Sequence, residues 1–376
     1  MNLAMEANLL IGRRSGIGNY LYNLVRQVVQ KEEIERLSLF YNTYKQRNSL
    51  PEEIQNSRID VRAAWVPQAL SNRLAYALWY EHYLKHYLRK VKADIVHFPS
   101  LQGGGYSKVK AVLTVHDLSF ATFYPRTPYN KFLIEVGRRS VERADLVLTD
   151  SISTKNDLVS QWRTDESKVR VVYLGCATNF KEMNHEACSN ELELKFSLKP
   201  PYFLFVGNIE PRKNLLMLLS AFEKVNKIIA DTSLVIIGQT GFPYPEFYEA
   251  LEKSTAKERI HLLTKVSDEL LPTFYNAALA LVFPSLLEGF GLPILEAFRC
   301  GCPVLSSNRA SLPEICGSAA ILLGPNDTEA WVDSMLKISD DMELACNLRE
   351  LGLGRSTLFS WERCASETVE AYKEVL

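Results

Sequence analysis

The sequence lacks several features by which whole classes of protein are recognised. Its longest run without charged or strongly polar residues, 277–287, has 11 residues and includes a proline, whereas about 20 apolar residues are needed to cross a bilayer. The chain starts without a basic segment followed by an apolar core, so we expect no signal peptide. No Cys-x-x-Cys pair occurs among the seven cysteines, which argues for reduced thiols. We therefore expect a cytoplasmic protein.

Two glycine-rich nucleotide motifs are also missing. Gly16 and Gly18 precede a predicted helix, but the third glycine of a dinucleotide-binding fingerprint would fall at Leu21. No Lys-Ser or Lys-Thr pair follows them, as a Walker loop requires. These absences disfavour a nicotinamide-dependent oxidoreductase and a P-loop enzyme.

The chain does contain enough apolar sequence for two domains. It has 376 residues, 47% hydrophobic and 23% charged, which is typical of globular proteins. Short β-branched runs alternate with amphipathic helical stretches, which predicts an α/β fold with parallel sheets. The predicted strands are 37–41, 95–98, 111–116, 146–149, 169–173, 202–206, 234–237, 260–263, 278–283, 303–305 and 320–322.

These strands form two sets, which predicts two doubly wound domains, residues 1–190 and 191–360. The polar segment 177–201 ends in Lys-Pro-Pro and is interpreted as the linker. A final helix over 361–376 has Ala365, Val369, Tyr372 and Leu376 on one face.

The most informative motif is the segment 288–296, EGFGLPILE, which follows a buried strand and opens a helix. Gly289 and Gly291 allow close approach of a ligand to the backbone, and the free amides at the helix start attract a phosphate. Glu288 and Glu296 flank that position from the loop and from the helix. Two carboxylates around a phosphate suit a nucleotide diphosphate sugar, which has hydroxyl groups at both ends.

This segment resembles the Glu-x-Phe-Gly-x-Pro-x-x-Glu motif of the retaining glycosyltransferases of family 4, and matches it at every defined place. The resemblance implies the GT-B architecture, in which two Rossmann-like domains face a cleft and the final helix packs back onto the first. It implies that Glu288 contacts the donor sugar, that Glu296 contacts the ribose, and that the amides of Phe290, Gly291 and Leu292 contact the sugar and diphosphate.

A second motif, GNIEPRKN, follows the strand predicted at 202–206. Arg212 and Lys213 lie before an amphipathic helix, where cations oppose the helix dipole unless they face an anion. The family has a matching Arg-Lys pair, which implies contacts with the diphosphate at Arg212, Lys213 and the strand-end Gly207. Where the family often has another arginine, this chain has Asn208.

Two further sites are implied by the resemblance. The segment Ser-Gly-Ile-Gly-x-Tyr, with Gly16 and Gly18, resembles the glycine loop that faces the donor phosphates and the acceptor. His116 lies at a strand end where the family has a histidine beside the donor sugar; a histidine satisfied within the core is the alternative.

The distribution of charged residues and of possible metal ligands indicates which binding partners to expect. Residues 1–190 contain 26 Lys and Arg against 19 Asp and Glu, and residues 191–376 contain 17 against 25. The basic half can contact an anionic acceptor or an anionic membrane, or it can be solvated surface. His82 and His86 are spaced for a metal, but basic residues follow them. Because the chain has no Asp-x-Asp motif, we expect no obligatory metal or cofactor, and we expect no nucleic-acid partner.

The resemblance implies a retaining transferase that moves a hexose from a UDP- or GDP-linked donor to a glycan or lipid-linked acceptor in polysaccharide biosynthesis. A sugar-nucleotide epimerase or hydrolase of the same architecture and a non-catalytic sugar-nucleotide binding protein are the alternatives.

Overall fold

The protein divides into two compact units. The computed structural model describes residues 1–10, 16–43, 54, 56–65, 84–101, 103, 109–124 and 127–376. One unit consists of Met1–Leu174 together with Trp361–Leu376, and the other of Gly175–Ser360. Each has its own parallel sheet.

The first unit is built on a seven-stranded sheet in the order β3-β2-β1-β4-β5-β6-β7, with every pair parallel. Its strands are β1 Asn2–Glu6, β2 Arg36–Thr43, β3 Ile59–Trp65, β4 Ile95–Phe98, β5 Lys110–Val115, β6 Leu146–Thr149 and β7 Val169–Val171. Its helices are α1 Gly16–Val28, α2 Leu84–Val91, α3 Ser119–Thr122, α4 Pro128–Arg143, α5 Ile152–Trp162 and, from the end of the chain, α14 Trp361–Lys373.

Two strands of this sheet are absent from the sequence-based prediction. β1, with the sequence NLAME, lies in the middle of the sheet and is buried from Leu3 to Glu6, yet it has no β-branched residue. β3, with the sequence IDVRAAW, is an edge strand interrupted by charges. Both strands form because the neighbouring strand β2 provides their register, which local propensity does not encode.

The final helix belongs to the first unit, where it packs against α1. Ala365, Val369 and Tyr372 are buried as their spacing predicts, whereas Leu376 is 61% exposed because the helix ends at Lys373. The Tyr372 hydroxyl lies 2.7 Å from Nδ1 of the buried His97, whose Nε2 lies 2.7 Å from the Thr114 hydroxyl. Burial, with a smaller effect of His116, lowers the pKa of His97 to about 3, so this ring is neutral and structural.

The second unit has a six-stranded parallel sheet in the order β10-β9-β8-β11-β12-β13. Its strands are β8 Tyr202–Val206, β9 Ser233–Ile237, β10 Ile260–Leu263, β11 Ala280–Phe283, β12 Val304–Ser307 and β13 Ile321–Leu323. Its helices are α6 His185–Phe196, α7 Leu215–Ile228, α8 Pro245–Lys253, α9 Leu271–Ala277, α10 Leu292–Arg299, α11 Leu312–Cys316, α12 Thr328–Asp340 and α13 Met342–Ser356. Every strand predicted for this half is present.

The segment interpreted as a linker is partly helical and belongs to the second unit. It contains α6, which buries Cys188 and Leu192. Asn184 caps the start of this helix by accepting a hydrogen bond from the Ala187 amide. The weak periodicity of the segment reflects a helix that buries only a narrow stripe. No helix in the described part of the chain is both long enough and apolar enough to cross a bilayer.

Candidate active site in the second unit

The candidate site lies where the strand order of the second sheet reverses. β8 and β11 are neighbours in this sheet, and the strands that follow them in sequence, β9 and β12, lie on opposite sides. In open parallel sheets this reversal leaves a crevice at the carboxyl ends of the strands, where ligands bind. Both motifs found in the sequence follow these two strands, 207–214 after β8 and 284–296 after β11.

The basic motif forms one short 3-10 turn, Pro211–Lys213. It ends at Asn214, which has a left-handed φ of 58° and precedes α7. The Asn214 side-chain amide donates to the carbonyl oxygens of Pro284, at 3.3 Å, and Pro325, at 2.7 Å. Because these contacts tie the turn to the loop after β11, the two motifs are held together.

Two cations from this turn converge on the carboxylate of Glu288. Lys213 Nζ lies 2.5 Å from Oε1, and Arg212 Nη1 lies 2.9 Å from Oε2. Arg212 also pairs with Glu210, with 2.7 Å between Nη2 and Oε1, and donates to the Leu287 carbonyl. All four charged side chains are at least 85% buried. The two positive and two negative charges therefore balance within one buried cluster.

This cluster keeps Glu288 ionised. Burial alone would raise the pKa of Glu288, but the charges of Lys213 and Arg212 outweigh it and lower the pKa to about 2. Lys213 is also held over the Phe283 ring, with Nζ 5.2 Å from the ring centroid. The site thus presents a fixed carboxylate next to two cations.

The glycine turn after Glu288 opens α10. Gly291 is the N-cap of this helix with φ 104° and ψ 49°, a conformation that residues with a Cβ rarely adopt. The Phe290 ring is buried and packs edge to face on Phe359, with 5.9 Å between centroids. The Ser311 hydroxyl lies 3.0 Å from the carbonyl oxygens of both Glu288 and Phe290. Leu292, with its amide in the first turn, is half-buried. The carbonyl groups of Glu288 and Phe290 thus point toward Ser311, and the Phe290 ring points into the core.

Glu296 lies one turn into α10, in a different environment. Its Oε2 accepts a hydrogen bond of 2.9 Å from the Tyr275 hydroxyl. Within the described part of the chain no ion pair joins Glu296 to a cation. Burial therefore raises its pKa to about 7, against the lowering effect of that hydrogen bond. The two glutamates of the motif thus have opposite shifts, because only Glu288 has cationic partners.

Gly207 and Asn208 shape the other side of the crevice. Gly207 has φ 155°, and its amide donates to the Ile237 carbonyl at 2.9 Å. A Cβ at Gly238 would lie 1.8 Å from the Gly207 carbonyl oxygen, so the chain after β9 must be glycine to pass this close. Asn208 is exposed beyond this contact. Its exposure leaves its side-chain amide accessible to a ligand.

The remaining predicted site residues belong to the first unit. Gly16 and Gly18 form the start of α1; Gly16 is exposed, with open space where a Cβ would be, and Gly18 is buried. His116 follows β5, with Nδ1 2.5 Å from Asp150 Oδ2 and Nε2 2.9 Å from the Pro99 carbonyl oxygen. Burial lowers the pKa of His116, but the Asp150 carboxylate outweighs it and the net shift is upward. Both partners are acceptors, so the contacts favour the doubly protonated ring, which agrees with the upward pKa shift of His116.

The structure adds functional neighbours that the sequence analysis missed. They are Glu210, Tyr275 and Ser311 in the second unit and Asp150 in the first. Ser151 caps α5 by accepting a hydrogen bond from the Thr154 amide, and the preceding Asp150 pairs with His116. The carboxylate in the motif Glu-Pro-Arg-Lys was the available signal for Glu210, because an acid two residues before an arginine can pair with it.

Metal-binding geometry is not found around these residues. Among the described residues, no group of three or more His, Cys, Asp or Glu side chains is arranged to hold a metal ion. His86 is exposed on α2, and His82, its predicted partner, lies outside the described residues.

Comparison with known proteins identifies the family. A family model described as "Glycosyl transferases group 1" matches residues 190–353, and one described as "Glycosyltransferase Family 4" matches residues 14–180. O-antigen chain mannosyltransferase B of Escherichia coli is 31% identical over 371 residues, covering 96% of this chain and 96% of that protein.

Solved structures share the whole fold at low identity. Sucrose-phosphate synthase of Thermosynechococcus elongatus has a TM-score of 0.77 at 18% identity, covering 100% of this chain and 98% of that one. HepE of Anabaena, in complex with UDP and glucose, has a TM-score of 0.78 at 14% identity, covering 99% of both chains. The solved structures confirm the predicted fold class. The two family models and the E. coli relative confirm the family resemblance. The chain therefore belongs to glycosyltransferase family 4 and is a glycosyltransferase with the two Rossmann-like α/β domains of the GT-B architecture.

Proposed function

We propose that this glycosyltransferase is a retaining enzyme that transfers a hexose from a UDP- or GDP-linked donor to a glycan or lipid-linked acceptor in polysaccharide biosynthesis. In this proposal the donor binds the C-terminal domain, 191–360, and the acceptor binds the N-terminal domain, 1–190. The observation that supports it best is the convergence of Arg212 and Lys213 on Glu288 beside the glycine turn that opens α10. Mannose is the first sugar to test, because the E. coli relative is a mannosyltransferase.

The buried charge cluster supports a role for both cations in diphosphate binding. Without a donor, Arg212 and Lys213 are neutralised by Glu210 and Glu288. A diphosphate brings at least two further negative charges, and we infer that it takes over contacts of Lys213 and Arg212 that Glu288 holds in the free protein. Glu288 then turns to the sugar hydroxyls while Glu210 still orients Arg212. Charge-assisted hydrogen bonds to the diphosphate are strong.

The same groups suit the chemistry of transfer. As the bond from the sugar to the diphosphate breaks, negative charge grows on the leaving oxygen, and preorganised cations next to it stabilise the transition state. Positive charge grows on the sugar ring at the same time. The ionised carboxylate of Glu288, whose pKa of about 2 keeps it charged at neutral pH, favours that oxocarbenium-like state. The acceptor hydroxyl forms the new bond to the anomeric carbon and gives its proton to the departing diphosphate oxygen, so we assign no separate general base in the protein.

Other residues are proposed to contact the donor. Glu296 contacts the ribose, and the amides of Phe290, Gly291 and Leu292 contact the sugar and diphosphate. Gly207 and Asn208 after β8, and Gly16 and Gly18 at α1, contact the phosphates. His116 contacts the donor sugar through its backbone or its ring edge, since both ring nitrogens already have partners. No metal is required in this proposal, because Arg212, Lys213 and the start of α10 supply the positive field.

The proposed function is tested by identifying the donor and then measuring sugar transfer by wild type and variants. UDP-, GDP- and ADP-sugars are screened by thermal shift, since a ligand at 100 times its Kd adds about 2.7 kcal/mol of stability. Transfer is then measured with glycan acceptors in wild type, Lys213→Ala and a control, Lys227→Ala, which removes an exposed lysine of α7. We expect kcat/KM to fall by about 10²–10³ in Lys213→Ala only.

The products separate the proposal from its alternatives. Retention of the anomeric configuration in the NMR spectrum of the glycosylated product is expected, and unchanged turnover in the presence of EDTA is expected if no metal takes part. Rapid conversion of the donor without any acceptor would instead indicate an epimerase or hydrolase. Wild-type turnover in Lys213→Ala would refute the assigned diphosphate site.

We also propose that the basic N-terminal domain can contact an anionic membrane from the cytoplasmic side. The exposed face of α2 carries Arg89 and Lys90, and the exposed Lys92 follows it. Each basic residue near an anionic surface contributes about 1 kcal/mol. Co-sedimentation with vesicles containing phosphatidylglycerol should fall with rising salt; equal sedimentation with neutral vesicles would contradict this proposal.

A further inference from the structure

Among the described residues, the Tyr275 side chain makes one polar contact, which is with the candidate ribose-binding glutamate. Tyr275 lies on α9 and is fully buried. Its hydroxyl lies 2.9 Å from Oε2 of Glu296 and has a single proton to donate. The phenol therefore donates that proton toward the carboxylate. One oxygen of Glu296 is thus occupied within the protein, and the other is left for a ligand.

The position of this hydroxyl is set by packing and does not depend on the contact itself. The Tyr275 ring packs edge to face on Phe180, with 5.9 Å between centroids. The helix on either side of it is tied down as well: the Tyr202 hydroxyl donates to the Phe274 carbonyl at 2.7 Å, and the Asn276 amide donates to the Lys181 carbonyl at 3.0 Å. The phenol is therefore a firmly held donor aimed at the Glu296 carboxylate.

The groups around Glu296 decide how strongly the Tyr275 hydroxyl affects its ionisation. Two neighbouring groups shift the pKa of Glu296: the Tyr275 hydroxyl lowers it, and the carboxylate of Asp268 before α9 raises it. The Cys176 thiol lies close to Glu296 and to Arg299, one turn further along α10, but among the described residues Arg299 forms no ion pair with Glu296. The Tyr275 hydroxyl therefore favours the ionised form of Glu296, which is the form that accepts hydrogen bonds from two ribose hydroxyls.

Building on the proposed ribose contact of Glu296, we propose that Tyr275 is a positioning residue for donor binding. Its hydroxyl holds Oε2 of Glu296 so that the carboxylate faces the nucleotide ribose in one orientation. Without it the carboxylate is free to rotate and is more readily protonated. Tyr275 thus supports nucleotide affinity without touching the nucleotide.

The test removes one hydroxyl and follows nucleotide affinity. UDP and GDP are titrated into wild type and Tyr275→Phe by calorimetry, and the Kd of the nucleotide that binds is expected to rise about tenfold, as for the loss of a hydrogen bond to a charged group. The increase should vanish with the 2′,3′-dideoxy form of that nucleotide and in a Glu296→Gln background. The pH at which affinity falls on acidification should move upward in Tyr275→Phe, since the carboxylate has lost a stabilising donor.

A matched control separates positioning from stability. Tyr372→Phe removes another fully buried tyrosine hydroxyl, one that pairs with His97 in the first unit. We expect it to change thermal stability to a similar extent and to leave the Kd and its pH profile unaltered. An equal loss of affinity in both phenylalanine variants would overturn the inference, because the effect would then be one of general packing.

Two outcomes distinguish failure of this inference from failure of the proposed function. If Glu296→Ala weakens nucleotide binding but Tyr275→Phe binds as wild type, the inference is wrong and the ribose contact stands. If Glu296→Ala itself binds nucleotide as wild type, the ribose contact is wrong, and the inference falls with it.

Discussion

The raised pKa of Glu296 predicts that this residue destabilises the free protein at neutral and alkaline pH. Its pKa is about 7 in the folded state, against an ordinary value of 4.5, because the carboxyl is buried without a cation. The folded protein therefore binds this proton more tightly than the unfolded chain. The associated stability is fully present below pH 4.5 and is lost as the pH rises from there through about 7.

The magnitude follows from the two pKa values. One pKa unit corresponds to about 1.4 kcal/mol, so the full shift would correspond to about 3 kcal/mol. The side chain is half-buried, and solvent reduces this to about 1–2 kcal/mol. Glu296→Gln keeps the shape and the hydrogen bond from Tyr275 but cannot ionise. The variant should match wild type near pH 4.5 and exceed its stability by that amount at pH 8.

Urea unfolding of the full chain without nucleotide, at intervals from pH 4.5 to pH 8, measures the difference. Glu249→Gln, which alters an exposed glutamate of α8, is the control and should show no such trend. Glu296→Gln should also bind nucleotide more weakly at pH 8, so that greater stability accompanies lower affinity. A stability difference from wild type that stays constant across this pH range would refute the reasoning.

Three further predictions concern the glycine turn, His116 and the final helix. Gly291→Ala forces a Cβ onto a φ of 104° and should cost about 1–2 kcal/mol and weaken donor binding; an unchanged Tm and Kd would contradict the role of this turn. The pKa of His116 is raised by Asp150, so the stability from this pair is present below pH 6.5 and is lost as the pH rises through the folded pKa. The stability advantage of wild type over His116→Gln should therefore shrink with rising pH in urea unfolding, and an advantage that grows would disprove the pairing. Tyr372→Phe removes the hydrogen bond to His97 and should cost about 1 kcal/mol of stability without changing nucleotide Kd; a change confined to Kd would contradict this structural role.

Much of the second unit was predictable because its strands are continuous apolar runs. Tyr202–Val206 and Ala280–Phe283 are buried on both faces, as parallel strands between helix layers are, and their sequences show it. The first unit was less predictable. Its central strand, Asn2–Glu6, is short and contains Leu, Ala, Met and Glu, which favour a helix, so only pairing with β2 and β4 decides that it is a strand.

The sequence predicted which residues belong to the candidate site, but it did not predict which side chains pair with one another there. The spacing of Glu288, Gly291 and Glu296 was enough to assign a phosphate-binding turn between two carboxylates. It could not show that Glu288 is bound by two cations while Glu296 has none. Those partners come from positions 75 and 76 residues away for Glu288, and 21 away for Glu296.

The amino-acid sequence by itself determined the alternation of strands and helices, the glycine turn and the family, because these depend on residues that are neighbours along the chain. Only the tertiary structure decided the charge state of each glutamate, since burial and ion pairing depend on groups brought together by the sheet. The reversal of strand order between β8 and β11 places the two motifs side by side. That arrangement lowers the pKa of Glu288, which stays ionised at neutral pH, and leaves the pKa of Glu296 at about 7.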